Sequence, residues 1–190
     1  MGTQHVLQLA CSKGGFILYH LDPSLAITDR EAAKTSLKNA LEVTEATCLF
    51  SQQAGDDVNY TNLCKEVIPE VRFFDIYEGM QFFTPRFPNL RFPIHTGLDV
   101  EAGECLGLIP YKYFIVPVSS EFKKFSSNQL STEVDGSTPL MGELIVDKNG
   151  SVKKGKVLTN DEVLKSMAWP QVCSMVKKEY IEVEGVGVVF

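Results

Sequence analysis

The chain has 190 residues, 44% of them hydrophobic and 22% charged, with a formal net charge of −6. That is enough chain for one ordinary domain with a sizeable core, and the composition is that of a globular protein. The acidic balance argues against nucleic acid as a partner: phosphate contacts need clustered Lys and Arg, and the longest basic runs here are the pairs Lys123-Lys124, Lys153-Lys154 and Lys177-Lys178.

The first half alternates helix-like and strand-like segments. Residues 4–13 place Val6, Leu7, Ala10 and Cys11 on one helical face, with Gly14-Gly15 as the stop. FILYHL (16–21) is a short apolar run expected to form a buried strand, ended by Asp22-Pro23. In residues 28–45, Thr28 and Glu31 have the spacing of a capping box, and Ala33, Leu37 and Leu41 recur every fourth position, so a helix is predicted. ATCLFS (46–51) reads as a second buried strand. Residues 57–67 read as a helix with Leu63 and Val67 inward and Pro69 as its stop, and VRFFDI (71–76) as a third strand. Such alternation predicts an α/β fold, a parallel-type sheet with helices on both faces.

The middle changes character. Residues 79–97, GMQFFTPRFPNLRFPIHTG, suggest a proline-spaced loop that packs its aromatic rings down, then a strand at LRFPIHT. KYFIVPV (112–118) is strand-like, and the Ser-rich residues 119–139 are expected to be an exposed loop. GELIVD (142–147) is a strand. Asn149-Gly150 is then the commonest two-residue hairpin turn, and VKKGKVL a weak returning strand. The same stretch also has the order strand, glycine-lysine loop, capped helix that a phosphate-binding loop requires. The helix, residues 160–180, opens on Asn160-Asp161 and breaks near Pro170. Residues 180–190 alternate as a final strand. The whole is expected to be one domain, 1–190, organised as 1–78, a connecting region 79–141, and 142–190.

Few residues point to chemistry. Five cysteines lie far apart with no CxxC pair, so buried reduced thiols are expected rather than disulfides, zinc ligands or a nucleophile. His5, His20 and His95 are scattered, and no metal site is expected. No apolar run approaches the roughly 20 residues of a membrane span, and the first residues do not read as a secretory signal.

The order of these pieces resembles the acyl-CoA synthetases of the adenylate-forming, AMP-binding superfamily. Residues 4–53 are similar to the family's early helix with its "QLA-x-x-K-x-G" ending, the strand and "D-P" after it, and the following helix and CLFS-like strand. YTNLCKEVIPEV (60–71) resembles its next helix and LRFPIHTG (90–97) its next strand. Residues 143–169 are similar to the region around its phosphate loop: Lys154-Gly155 fall on the lysine-glycine, and Val157-Leu158-Thr159 on the "V-L-T" that follows. The resemblance implies a fragment of the N-terminal domain of that family.

The departures imply lost catalysis. The family's loop wraps ATP phosphates with small hydroxyl residues and glycines. The corresponding residues here, Asn149, Gly150, Ser151, Lys153, Lys154 and Gly155, lack the Ser/Thr-Gly core, and Asp147 adds a negative charge. Two unit charges about 4 Å apart repel by roughly 4 kcal/mol at an effective dielectric near 20. DGSTPLMG (135–142) offers Gly-Ser-Thr but no lysine. The family's adenine pocket, magnesium-binding acid, ribose-binding aspartate and mobile lysine lie downstream of its loop, whereas 35 residues follow Gly155 here. The expectation is therefore a pseudoenzyme with no catalytic residues, cofactor or metal. It would be an accessory subunit in contact with other subunits of a large mitochondrial assembly, respiratory chain or ATP synthase, lying peripheral to the inner membrane. A cytoplasmic protein is the fallback. FFTPRFPNLRF (82–92) and EGVGVVF (184–190) are the expected contacts. The alternative is a small acyl-CoA- or nucleotide-binding module, or one part of a split synthetase, with Lys153 and Lys154 at a helix N-terminus meeting the anion.

Overall fold

The computed structural model describes residues 3–21, 24–51, 53–54, 58–75, 81–96, 107–111 and 133–166. The strands at 112–118 and 180–190, the loop at 119–132, the helix beyond residue 166 and the contact segment 184–190 lie outside them. The chain is a mixed α/β protein with two compact units: residues 1–19, 130–143 and 156–190 form the first, and 20–129 with 144–155 the second.

In the first unit, α1 (Thr3–Gly14) leads into β1 (Leu18–Tyr19). Gly15 takes a left-handed φ of 70°, and the Phe16 N–H donates back to the Cys11 carbonyl at 3.0 Å. This Schellman closure satisfies an orphan carbonyl of the helix end. It also corrects the expected buried strand at 16–21: Phe16 belongs to the helix stop and is 66% exposed, Ile17 is exposed, and only Leu18 and Tyr19 pair. They run parallel to β7 (Pro139–Val146), Leu18 opposite Met141 and Tyr19 opposite Gly142. β8 (Val152–Thr159) completes the order β1-β7-β8. Both β7 and β8 continue into the second unit.

The second unit holds α2 (Ser24–Thr28), α3 (Arg30–Thr44), β2 (Cys48–Ser51), β3 (Gln53–Ala54), β4 (Val58–Asn59), α4 (Tyr60–Val67), a 3-10 turn (Pro69–Phe73), β5 (Phe92–His95) and β6 (Ile109–Pro110). β2, β5 and β6 form an all-parallel sheet in the order β2-β5-β6, Cys48 to Ser51 lying opposite Phe92 to His95. β3 and β4 make a separate antiparallel ribbon. The single parallel sheet expected from the alternation is thus replaced, among the described residues, by two three-stranded sheets and a ribbon.

α3 starts one residue later than the capping-box spacing suggests. Asp29, not Thr28, is the N-cap, and its Oδ1 accepts from the Glu31 and Ala32 N–H groups at 3.0 Å each. Thr28 is held in α2. Its inward stripe is as periodicity predicts: Ala33, Leu37 and Leu41 are buried. They join Leu63, Cys64 and Val67 of α4, and Ile68, Val71, Phe82, Phe87 and Leu90, in one core. α4 begins at Tyr60 rather than 57 because Val58 and Asn59 are paired in β4.

The strand expected at 71–76 is absent over 71–75. Ile68 still closes on Cys64 at 2.7 Å, and Pro69 opens a 3-10 turn continued by Val71 N–H to Ile68 O and Phe74 N–H to Val71 O. One residue separates the helix from the turn, too little for the chain to extend before Val71 is drawn into the core. The expectation that the proline-spaced loop packs its aromatic rings down holds for two of the three phenylalanines of 81–90. Phe82 and Phe87 point down, and Phe82 meets Phe74 edge-on at 5.3 Å. Phe73 and Phe83, the alternate neighbours, are 84% and 59% exposed.

Leu90 is fully buried, so Leu90→Ala is expected to cost about 2–5 kcal/mol in urea unfolding through lost transfer energy and a cavity. Phe73→Ala is expected to change stability by less than about 0.5 kcal/mol. Equal effects would misplace the core.

Candidate functional site

The glycine-lysine stretch folds as a hairpin. The Asp147 N–H donates to the Ser151 carbonyl and the Gly150 N–H to the Asp147 carbonyl, both at 3.0 Å. Gly150 takes φ 78°, whereas Asn149 stays at negative φ. A two-residue Asn-Gly turn of the primed type needs positive φ at both. The connection is instead three residues, 148–150, closed by a left-handed glycine in the manner of a G1 bulge. Asp147 decides this: its Oδ1 accepts from the Asn149 N–H at 2.9 Å and the Ser151 N–H at 2.8 Å.

The turn is also pinned from outside. The Gly150 carbonyl accepts from Asn39 Nδ2 of α3 at 3.0 Å. A Cβ at Gly150 would lie 2.4 Å from the Ala32 carbonyl oxygen, and Val152 is buried.

Lys153, Lys154 and Gly155 lie within β8, not in a loop, and the helix starts only after Thr159. Lys153 and Lys154 therefore do not stand at a helix N-terminus, contrary to the anion-site expectation. The helix α5 (Asn160–Lys165) is capped by Thr159, not by Asn160-Asp161. Glu162 N–H donates to Thr159 Oγ1 at 3.3 Å, and Thr159 N–H to Glu162 Oε2 at 2.9 Å, a full capping box. Asn160 is buried: its Nδ2 donates to the Asp135 carbonyl and its Oδ1 accepts from Ser12 Oγ. Lys156 Nζ bonds Glu162 at 2.8 Å, and this contact, with the Thr159 N–H, holds the Glu162 carboxyl below its ordinary range.

DGSTPLMG repeats the pattern. Asp135 Oδ1 accepts from the Ser137 N–H at 2.9 Å, Ser137 Oγ at 2.7 Å and Thr138 Oγ1 at 3.1 Å. The two hydroxyls, Ser137's first, hold its carboxyl below the usual range. In both stretches a neighbouring aspartate takes the donors that a phosphate would need.

The structure brings together a second set of polar residues that are distant in sequence. At the carboxyl ends of the parallel strands β2 and β5, Ser51, Cys64, His95 and Thr96 are all buried. Ser51 Oγ donates to the Ile94 carbonyl at 3.2 Å, and Thr96 Oγ1 to the Ser51 carbonyl at 3.3 Å. Burial pushes the Cys64 thiol up to about 11, with a smaller opposing contribution from a hydrogen bond with Ser51. It stays a protonated thiol at neutral pH and is a poor nucleophile. Carboxyl ends of parallel strands are where α/β folds place ligands. The pairing of β2 with β5 brings Ser51, His95 and Thr96 together, α4 adds Cys64, and no local motif signals the group. Cys48 departs from the expectation of buried thiols, being exposed on β2, while Cys11 is half-buried.

Among the described residues, no group of three or more His, Cys, Asp or Glu could hold a metal ion, and no helix is long and apolar enough to cross a membrane. No protein-family model, curated protein or solved structure matches the chain.

Gly150→Ala combines positive-φ strain with a backbone clash and is expected to cost at least about 2 kcal/mol. Asp147→Ala should cost about 1–2 kcal/mol and Asp147→Asn less, because Asn keeps the acceptor; urea midpoints decide. Asp135 and Glu162 have depressed folded-state values, so their stabilisation is present above the unfolded carboxylate range and is lost as pH falls through the folded values. Stability should be level near neutrality and fall below about pH 4. Glu162→Gln should flatten part of that fall; an unchanged acid slope would remove Glu162 from it.

Proposed function

We propose that this chain is a non-catalytic accessory subunit of a larger protein assembly, built on a remnant of the acyl-CoA synthetase N-terminal domain. The observation that carries the reading is the hairpin at 147–151. Where the resemblance puts a phosphate cradle, the Asn149 and Ser151 amides are bonded to Asp147's own carboxylate, and Lys153-Lys154 sit in a strand. Phosphoryl and adenylyl chemistry depends on preorganised donors aimed at the developing charge. An internal carboxylate in that place has the wrong sign. The all-parallel pairing of β2, β5 and β6 is compatible with descent from a larger parallel sheet flanked by helices.

The accessory role draws on Phe73 and Phe83, large rings exposed beside the edge-on Phe74–Phe82 pair. Exposed aromatics are favoured anchors in protein interfaces. On the family resemblance alone, the assembly is a mitochondrial one peripheral to the inner membrane, respiratory chain or ATP synthase.

Two measurements test this reading. Native gels of the endogenous protein should place it in a large complex, and the pure chain should show neither ATP binding at millimolar concentration nor acid-dependent pyrophosphate release. A free monomer in the native extract would refute the accessory role. Pyrophosphate release would refute the loss of catalysis, and ATP or acyl-CoA binding without turnover would favour the binding-module alternative.

A further inference from the structure

We infer that Asn149 is a site of spontaneous modification, an amide-to-acid conversion that the folded hairpin holds back and whose product unlocks it. Of the chain's seven asparagines, Asn149 alone is followed by glycine. Gly150 has no Cβ to screen its backbone nitrogen, so that nitrogen can approach the carboxamide carbon of the residue before it. Water is the only co-reactant the step needs. The Gly150 N–H gives its proton to solvent, the nitrogen bonds to Asn149 Cγ, and the carboxamide nitrogen takes up a proton and leaves as ammonia. Water then opens either carbonyl of the five-membered imide, leaving aspartate or isoaspartate at 149.

The native turn withholds what this reaction requires. Asn149 is exposed to water, but Gly150 is buried and its N–H is committed to the Asp147 carbonyl at 3.0 Å. Asn149 is third of the four turn residues and stays at negative φ, with Gly150 at φ 78° after it. The third residue of a type I turn has ψ of about 0°. That value points the Gly150 nitrogen away from the Asn149 Cβ, whereas ring closure needs the two eclipsed. The rotation that would eclipse them pulls Gly150 from three anchors: the Asp147 carbonyl, the Asn39 side chain that donates to the Gly150 carbonyl at 3.0 Å, and the α3 backbone beside it. The Asp147 carboxylate also holds the amides of Asn149 and Ser151, at 2.9 and 2.8 Å. The reaction therefore proceeds from the locally opened turn, at a rate set by how often the turn opens. Its products oppose reclosing. Isoaspartate adds a methylene to the main chain of a three-residue connection, where loop length fixes the strand register. Aspartate sets a second carboxylate two residues from Asp147. The inference holds whether or not the chain is an accessory subunit.

The test follows residue 149 by peptide mass spectrometry while the pure full chain is incubated at physiological temperature, folded and in guanidinium chloride. Conversion is expected in the denatured chain and at least about tenfold more slowly in the folded one, the suppression given by an opening free energy of about 1.4 kcal/mol. Asp147→Ala should speed the folded-state reaction about fivefold to thirtyfold. Asn39→Ala, which spares the turn itself, should speed it about fivefold. Asn149→Gln, whose longer side chain does not form the five-membered ring, should stay unmodified, and the converted chain should have a lower urea midpoint than the parent. Absence of conversion at 149 in denaturant, equal rates in the two states, or an Asn39→Ala chain no faster than the parent would each overturn the proposal. So would an unchanged urea midpoint in the converted chain.

Discussion

The carboxylate of Asp147 governs the most informative part of this molecule. By accepting from two backbone N–H groups of its own turn, it closes the hairpin three residues wide and brings Gly150 into the left-handed conformation. Only a residue without Cβ fits there, because the α3 backbone lies directly against it. The register of β7 and β8 then follows from the turn, and with it which side chains are buried and which face solvent. Val152 goes inward; Lys153 goes outward.

That constraint explains why a stretch rich in glycine, serine and lysine does not form an anion cradle. A cradle needs several N–H groups left unsatisfied and converging on one point. A hairpin does the opposite: it satisfies them locally. The residues of 135–138 reach the same end by different means, with hydroxyls as well as an amide directed at Asp135. Composition alone does not separate the two outcomes, because small polar residues and glycine serve both. The position of the nearest carboxylate does.

The legible parts of the fold were those set by local periodicity. The apolar stripe of α3, the inward Leu63 and Val67 of α4 and the downward packing of Phe82 and Phe87 all follow from spacing along a short stretch. Failures came where neighbouring elements compete for a residue. Phe16 is taken by the helix stop before it can join a strand, and Val71 is held in a 3-10 turn one residue after α4. At the candidate site, the composition suits a two-residue hairpin turn and a phosphate loop alike, and the three-residue turn that forms depends on bonds to a side chain two to four positions away. The buried group around Ser51, Cys64 and His95 was not legible at all. Ser51 and His95 meet because β2 and β5 pair, α4 adds Cys64, and pairing partners 44 residues apart leave no local mark.

The distance of this hairpin from a phosphate loop can be judged from how many independent changes would be needed. Replacing Asp147 would free two N–H groups, but the turn would lose the bonds that shape it, and the freed donors would be partly met by water. The lysines would still project from β8 on alternate faces, with Gly155 between strand residues and not in a loop. Drawing them to the freed amides would require dissolving part of an eight-residue strand and pulling Gly150 off α3. Each step costs stability before any ligand is gained. The two features are therefore coupled: the interaction that shapes the hairpin is the same one that occupies the amides of its turn.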